Sequence, residues 1–170
     1  YYIRFFRIVN TVKREFADLI KLWQSDRPVS AGAKAYHDAV IGASWHVDNI
    51  RYLIRVMKPH VRKGHMVVDF GAGTGSSAFY FRKHLPKKTK LMLVDNSASW
   101  LGHAYKLLGR NPDVACVLLK NGDRYMYLDE AIGEAVADHV LCANTIHLIA
   151  NIEQSLVGIR NALKSGGTFS

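Results

Sequence analysis

The feature that most constrains this chain is a strict alternation that starts near residue 66. Residues 66–70, 91–94, 114–119 and 139–143 form short runs dominated by apolar side chains. Between them lie helical patterns over 76–85 and 98–108, a short one over 125–133, and one marked by Ile152, Leu156, Ile159 and Leu163 at intervals of 4, 3 and 4. Apolar strands alternating with amphipathic helices require a mostly parallel sheet covered on both faces. Gly166-Gly167 then turns into a further strand. The expectation is an α/β, doubly wound, Rossmann-like sheet.

The first 58 residues read differently. Phe5, Val9, Val12, Phe16, Leu19 and Trp23 make one apolar stripe, so a helix is expected over 4–24. Residues 25–34 contain Pro28 and Gly32 and read as a loop. A second helical stretch over 36–57 has Ile50, Leu53, Ile54 and Met57 on its core face, Gly42 as a bend and Pro59 as its stop. Two regions follow: 1–58 as an N-terminal helical segment and 59–170 as the core, expected to be truncated at strand 5 because Thr168-Phe169-Ser170 reads as the start of a strand.

Composition narrows the class. With 49% hydrophobic and 22% charged residues, the 170-residue chain is neither disordered nor fibrous. No apolar run reaches the length of a membrane span, and the opening residues lack a signal-peptide pattern. Cys116 and Cys142 lie in apolar stretches and read as buried thiols, so neither a disulfide scaffold nor a metal site is expected. A cytoplasmic protein is the expectation. The net charge of +9 is uneven: residues 1–64 carry 12 Lys and Arg against 5 Asp and Glu, and residues 65–170 carry 11 against 9. Such a basic segment suits nucleic acid, an anionic surface or an acidic substrate, and equally a plain solvated face.

Ligands of open α/β sheets bind at the carboxyl ends of the strands. The first strand runs into VVDFGAGTGSS, where Gly71, Gly73 and Gly75 let the backbone approach a ligand closely. The dinucleotide fingerprint would place glycine at Ser76, and a phosphate-binding P-loop would need a lysine that the turn lacks. The second strand ends at Asp95, whose carboxylate can accept from two vicinal ribose hydroxyls. The third ends in Asn121-Gly122-Asp123-Arg124, where an acid can accept from an exocyclic amine.

Together VVDFGAGTGSS, LMLVDNS, NGD, ADHVLCANTIHLI and ALKSGGTF resemble the class I methyltransferases that use S-adenosylmethionine. The resemblance spans about residues 50–170. It implies that Asp69, Gly71, Ala72, Gly73 and Gly75 line the methionine end of S-adenosylmethionine. It further implies that Asp95 holds the ribose with Asn96 beside the adenine, that Asp123 and Arg124 edge the adenine, and that Asn144 faces the sulfonium. The product would be S-adenosylhomocysteine. Ser165 replaces the proline usual in the closing Lys-Pro-Gly-Gly turn, and strands 5 to 7 of the family sheet are expected to be missing.

The candidate catalytic residues are His147, as a base after strand 4, and Tyr36, from a lid formed with His37, Trp45 and His46. The strand-4 exit Asn144-Thr145-Ile146-His147 lacks the N-P-P-Y or D-P-P-Y of adenine or glutamine methylation. Cys142 lacks the Pro-Cys setting of a covalent pyrimidine mechanism. The leading expectation is methyl transfer to a small-molecule O or N acceptor. RNA docking through the basic segment, a non-catalytic methyltransferase-like binding domain, and more distantly a Rossmann dehydrogenase are the alternatives. A homodimer is compatible with the N-terminal stripe.

Overall fold

The computed structural model describes residues 30–108, 111–119, 127–149 and 151–170. The expected helix over 4–24, the start of the loop over 25–34, and Asn121, Gly122, Asp123 and Arg124 lie outside the described residues.

The element order is α1 (Ser30–Ile41), α2 (Ser44–Met57), β1 (Met66–Phe70), α3 (Ser76–Phe81), β2 (Lys90–Asp95), α4 (Ala98–Leu108), β3 (Val114–Leu118), α5 (Leu128–Ile132), β4 (Ala137–Leu141), α6 (Ile152–Ala162) and β5 (Leu163–Phe169). Single 3-10 turns follow α3 over Arg82–His84 and β4 over Ile146–Leu148. The five strands pair in parallel in the order β3-β2-β1-β4-β5. The order reverses between β1 and β4, which puts the switch point of the sheet beside the glycine turn.

Residues alternate across the pleat and so build two cores. Val67, Leu91, Leu93 and Leu141 pack with Met57, Phe81, Leu101 and Leu108 under α2, α3 and α4. Val68, Phe70, Val94 and Val140 pack with Leu128, Ile159 and Ala162 under α5 and α6. The doubly wound Rossmann-like sheet expected from the alternation is the fold observed.

Three local expectations change. The stretch 36–57 is two helices, because the chain leaves the helical conformation at Ala43 (φ −69°, ψ 126°) beside Gly42. Residues 30–34 of the expected loop are helical, as part of α1. Residues 163–169 are one strand with a register irregularity: Ala137 pairs with Leu163, but His139 pairs with Thr168, and Gly166 adopts φ +77°. The Gly-Gly pair therefore makes a bulge within β5 rather than a turn ahead of it. Among the described residues, no helix is long and apolar enough to cross a membrane.

Candidate cofactor site at the carboxyl ends of the strands

The glycine turn leaves β1 directly after Asp69 and Phe70. Gly71 and Ala72 both donate their N–H groups to the Val94 carbonyl, at 2.8 and 3.0 Å, which folds the turn over the end of β2. Gly71 has φ +76°, and a Cβ there would lie 2.2 Å from the Thr145 side chain. Only glycine meets both conditions. A Cβ on Gly73 would meet the Trp100 ring at 3.3 Å, so the turn runs directly over that indole.

Asp95 ties the turn to the next helix. Its Oδ2 accepts from Gly73 N and its Oδ1 from Ser97 N, both at 2.8 Å. Each oxygen keeps a lone pair for a further donor. Burial raises the Asp95 carboxyl above the usual range, and the backbone donors at Ser97, Gly73 and Asn96 partly oppose the shift. Asp69 is only 1% exposed, and its Oδ2 has no hydrogen-bond partner among the described residues. Burial first, and the Asp95 charge second, push its pKa up to about 7. Leaving a buried polar atom unpaired costs about 1–3 kcal/mol. The salt bridges among the described residues are Lys34–Asp38, Arg51–Asp48 and Lys164–Asp138, and none reaches these two carboxyls. Two buried acids with no cation beside them among the described residues fit a positively charged ligand.

Helices α1 and α2 cover this end of the sheet. Tyr36 stacks on Trp100 with ring centroids 4.4 Å apart. Burial, followed by the Asp95 charge, raises the Tyr36 phenol to about 12, so it remains protonated at neutral pH. The His37 Nδ1 lies 3.2 Å from the Thr74 hydroxyl of the turn. From α2, Asn49 donates to Asn144 Oδ1 at 2.8 Å, and the Asn144 amide nitrogen lies 3.4 Å from His46 Nδ1. Asn144 has φ +58°, a left-handed conformation that asparagine tolerates better than most residues. Next to it, the Thr145 hydroxyl donates to the Gly71 carbonyl at 3.0 Å, stitching the end of β4 to the glycine turn.

The structure thus brings Tyr36, Asp69, Gly71, Ala72, Gly73, Gly75, Asp95 and Asn144 to one end of the sheet. Asn96 is exposed just past β2, and His147 is exposed in the turn over Ile146–Leu148. Asp123 and Arg124 lie outside the described residues. Trp100, Asn49 and Thr145 also build the site, and sequence reasoning passed over them. Trp100 carried a signal, since it falls in the first turn of the helix after Asp95. The thiol of Cys142 is pushed up to about 12 by burial and by the Asp69 charge, which keeps it protonated.

A parallel sheet in this order, with a glycine turn on β1 and an acid closing β2, defines a class I, Rossmann-like methyltransferase fold. The family of the methyltransferase domain matches residues 68–169, and the chain belongs to it. The family uses S-adenosylmethionine, and the buried acids and glycine cradle fit that sulfonium cofactor. No curated protein matches the chain.

Solved structures agree in fold. A protein of Methanococcus maripaludis assigned as an S-adenosyl-L-methionine-dependent methyltransferase superposes with a TM-score of 0.65 at 17% identity, over 86% of this chain and 65% of that one. The phosphoethanolamine N-methyltransferase 2 of Haemonchus contortus, solved with phosphomonomethylethanolamine and S-adenosylhomocysteine, gives 0.63 at 19% identity, over 88% of this chain and 34% of that one. A methyltransferase of Thiobacillus denitrificans, solved with S-adenosyl-L-homocysteine, gives 0.51 at 17% identity, over 71% and 45%. The chain therefore spans about a third to two thirds of these structures.

Proposed function

We propose that this chain binds S-adenosylmethionine between Asp69 and Asp95 and directs its methyl group to an O or N atom of a small molecule. The observation that carries the reading is the pair of buried carboxyls at the glycine turn, without a cationic partner among the described residues. When bound, the cofactor supplies an electrophilic methyl on a sulfonium leaving group.

The chain's own residues then align, neutralise and exclude water. Asp69 faces the cationic methionine end along Gly71, Ala72, Gly73 and Gly75. Asp95 accepts from the ribose, with Asn96 beside the adenine and Asp123 and Arg124 at its edge. Asn144 faces the sulfonium. Tyr36, held protonated against Trp100, walls the pocket rather than acting as a base. The pocket these residues form would hold the acceptor's lone pair in line with that methyl carbon, for a displacement in which the sulfonium sulfur is the leaving group. His147 takes the proton that the acceptor loses. Positioning carries most of the rate.

A small acceptor is favoured because α1 and α2 roof the strand ends through His37, His46 and Asn49. The same fold holds a small phosphorylated amine in the Haemonchus protein. The residue division at 58/59 gives these helices to a lid and the rest to the cofactor-binding core.

Calorimetric titration with S-adenosylhomocysteine, with NAD as control, tests the reading. Binding of the first alone is expected. Asp95→Ala should weaken it by about 1.5–3 kcal/mol, the scale of hydrogen bonds to a charged group. An unchanged affinity in the folded variant would remove Asp95 from the site. His147→Ala should lower turnover and leave cofactor affinity intact, and full activity would remove His147 from the reaction. Steep loss of acceptor binding with salt would favour RNA docked on the basic residues of 1–64.

A further inference from the structure

We propose that His46 is a cofactor-binding residue whose Nε2–H donates to the methionine carboxylate of S-adenosylmethionine, with Asn49 and Asn144 as the residues that set its tautomer. The inference rests on the cofactor reading above. It begins with three side chains, two from α2 and one from just past the end of β4. Asn49 Nδ2 donates to Asn144 Oδ1 at 2.8 Å, which fixes the orientation of the Asn144 amide. The amide nitrogen of Asn144 therefore faces His46 Nδ1, 3.4 Å away, and Nδ1 must accept. The imidazole proton then belongs on Nε2. That nitrogen is buried and has no hydrogen-bond partner among the described residues.

Position selects the ligand. His46 is 2% exposed, on the first turn of α2, and its ring lies 6.3 Å from that of Tyr80 on α3. Through Asn144 and Thr145 it belongs to the same end of the cradle as Gly71, and β1 places Asp69 two residues before Gly71. Asp95, Trp100 and Tyr36 form the other end. The methionine end of the cofactor is a zwitterion. Asp69 supplies the acceptor for its ammonium, and an N–H donor is the complement its carboxylate needs. The His46 imidazole stays neutral at physiological pH, because burial and the nearby His37 lower its pKa to about 4. It therefore acts as a neutral donor and not as an acid or base.

The amide side chains offer a dissection. Asparagine at position 46 replaces the Nδ1 acceptor but lacks the distal donor, whereas glutamine supplies a distal N–H but not the acceptor. Asn49→Asp is nearly isosteric and accepts where Asn49 donates. It should turn the Asn144 amide around, so that Asn144 accepts and the His46 proton moves to Nδ1.

The test is calorimetry of the full chain with two probes. S-Adenosylhomocysteine carries the amino-acid end, and 5′-methylthioadenosine lacks it. His46→Asn should bind the first about tenfold more weakly and the second within about twofold. His46→Gln should retain more of the first than His46→Asn does. Asn49→Asp should weaken S-adenosylhomocysteine selectively, and 15N spectra of labelled histidines should show the His46 proton on Nδ1 instead of Nε2. In the unmodified chain, the His46 Nε2–H signal should move on adding S-adenosylhomocysteine and not on adding 5′-methylthioadenosine. This spectrum keeps the inference testable if a variant fails to fold. Unchanged S-adenosylhomocysteine affinity in folded His46→Asn, an equal loss for both probes, or an Nδ1–H tautomer in the unmodified chain would each overturn it. Failure of the unmodified chain to bind S-adenosylhomocysteine would overturn the cofactor reading instead.

Discussion

Asp69 is the residue where burial and function meet most directly. A carboxyl with a pKa near 7 is largely protonated in slightly acid solution, yet only its ionised form can pair with a cationic ligand. S-Adenosylhomocysteine binding should therefore strengthen as pH rises from about 5 to 7, by about tenfold per pH unit below the pKa, and then level off. Binding near pH 6 should release close to one proton. Calorimetry in two buffers of different ionisation enthalpy measures that release directly. An affinity that is flat over this range, with no proton released, would contradict the role. Asp69, Gly71, Gly73 and Asp95 were legible in the sequence because each belongs to a single strand–turn unit whose shape is local. His46, Asn49 and Trp100 were not assigned those places, because their positions depend on how α1, α2 and α4 dock. The Asn49–Asn144 bond joins residues 95 positions apart, and no local pattern encodes it.

At the scale of the element, α6 shows where hydrophobic pattern and packing part. The spacing of Ile152, Leu156, Ile159 and Leu163 marks the helix in the sequence. Ile159 is buried, but Ile152 is 43% exposed and Leu156 40%. The buried residues of the helix are Ser155, Gly158, Ile159 and Ala162. Small residues are needed because α5 approaches closely. A Cβ on Gly158 would lie 2.9 Å from Asp129 Oδ1 and 3.2 Å from Leu128 N. The Asp129 side chain has little freedom to yield, since its Oδ2 accepts from Asn161 Nδ2 at 2.9 Å. Gly158→Val should therefore destabilise the fold by about 1–3 kcal/mol, the usual cost of overpacking. Gly158→Ala should cost less, because it gains about 1 kcal/mol of helix propensity. Urea unfolding measures both, and a neutral or stabilising valine would show that the α5–α6 contact is loose. Element type and order were readable from periodicity. The contact face was not, because small side chains carry no hydrophobic signal.

For the whole molecule, titration behaviour follows from what is buried at both ends of the sheet. At the end away from the cofactor site, His139 is 3% exposed. Its Nε2 lies 2.9 Å from His65 Nδ1 and its Nδ1 lies 2.7 Å from the Thr168 hydroxyl, so it links β4 with β5 and the approach to β1. Burial, then the His65 charge, lowers its pKa. Burial also lowers His37, His46 and His103. Histidines held below their unfolded pKa of about 6.5 contribute stability that is full above that pH and is lost as pH falls toward their folded values, about 4 for His46. Asp69 and Asp95 act in the opposite sense, because burial raises both carboxyls and so rewards protonation as pH falls, in Asp69 from about 7 toward the unfolded carboxylate value of about 4. Between pH 7 and about 4.5 the four histidines lower the melting temperature on acidification and the two acids raise it. Asp69→Asn removes one opposing group, and its melting temperature should drop more steeply over the same interval. Thermal unfolding of both proteins across that range decides the matter. A melting temperature that holds or rises on acidification would mean that the buried acids, and not the histidines, dominate the proton balance of the fold.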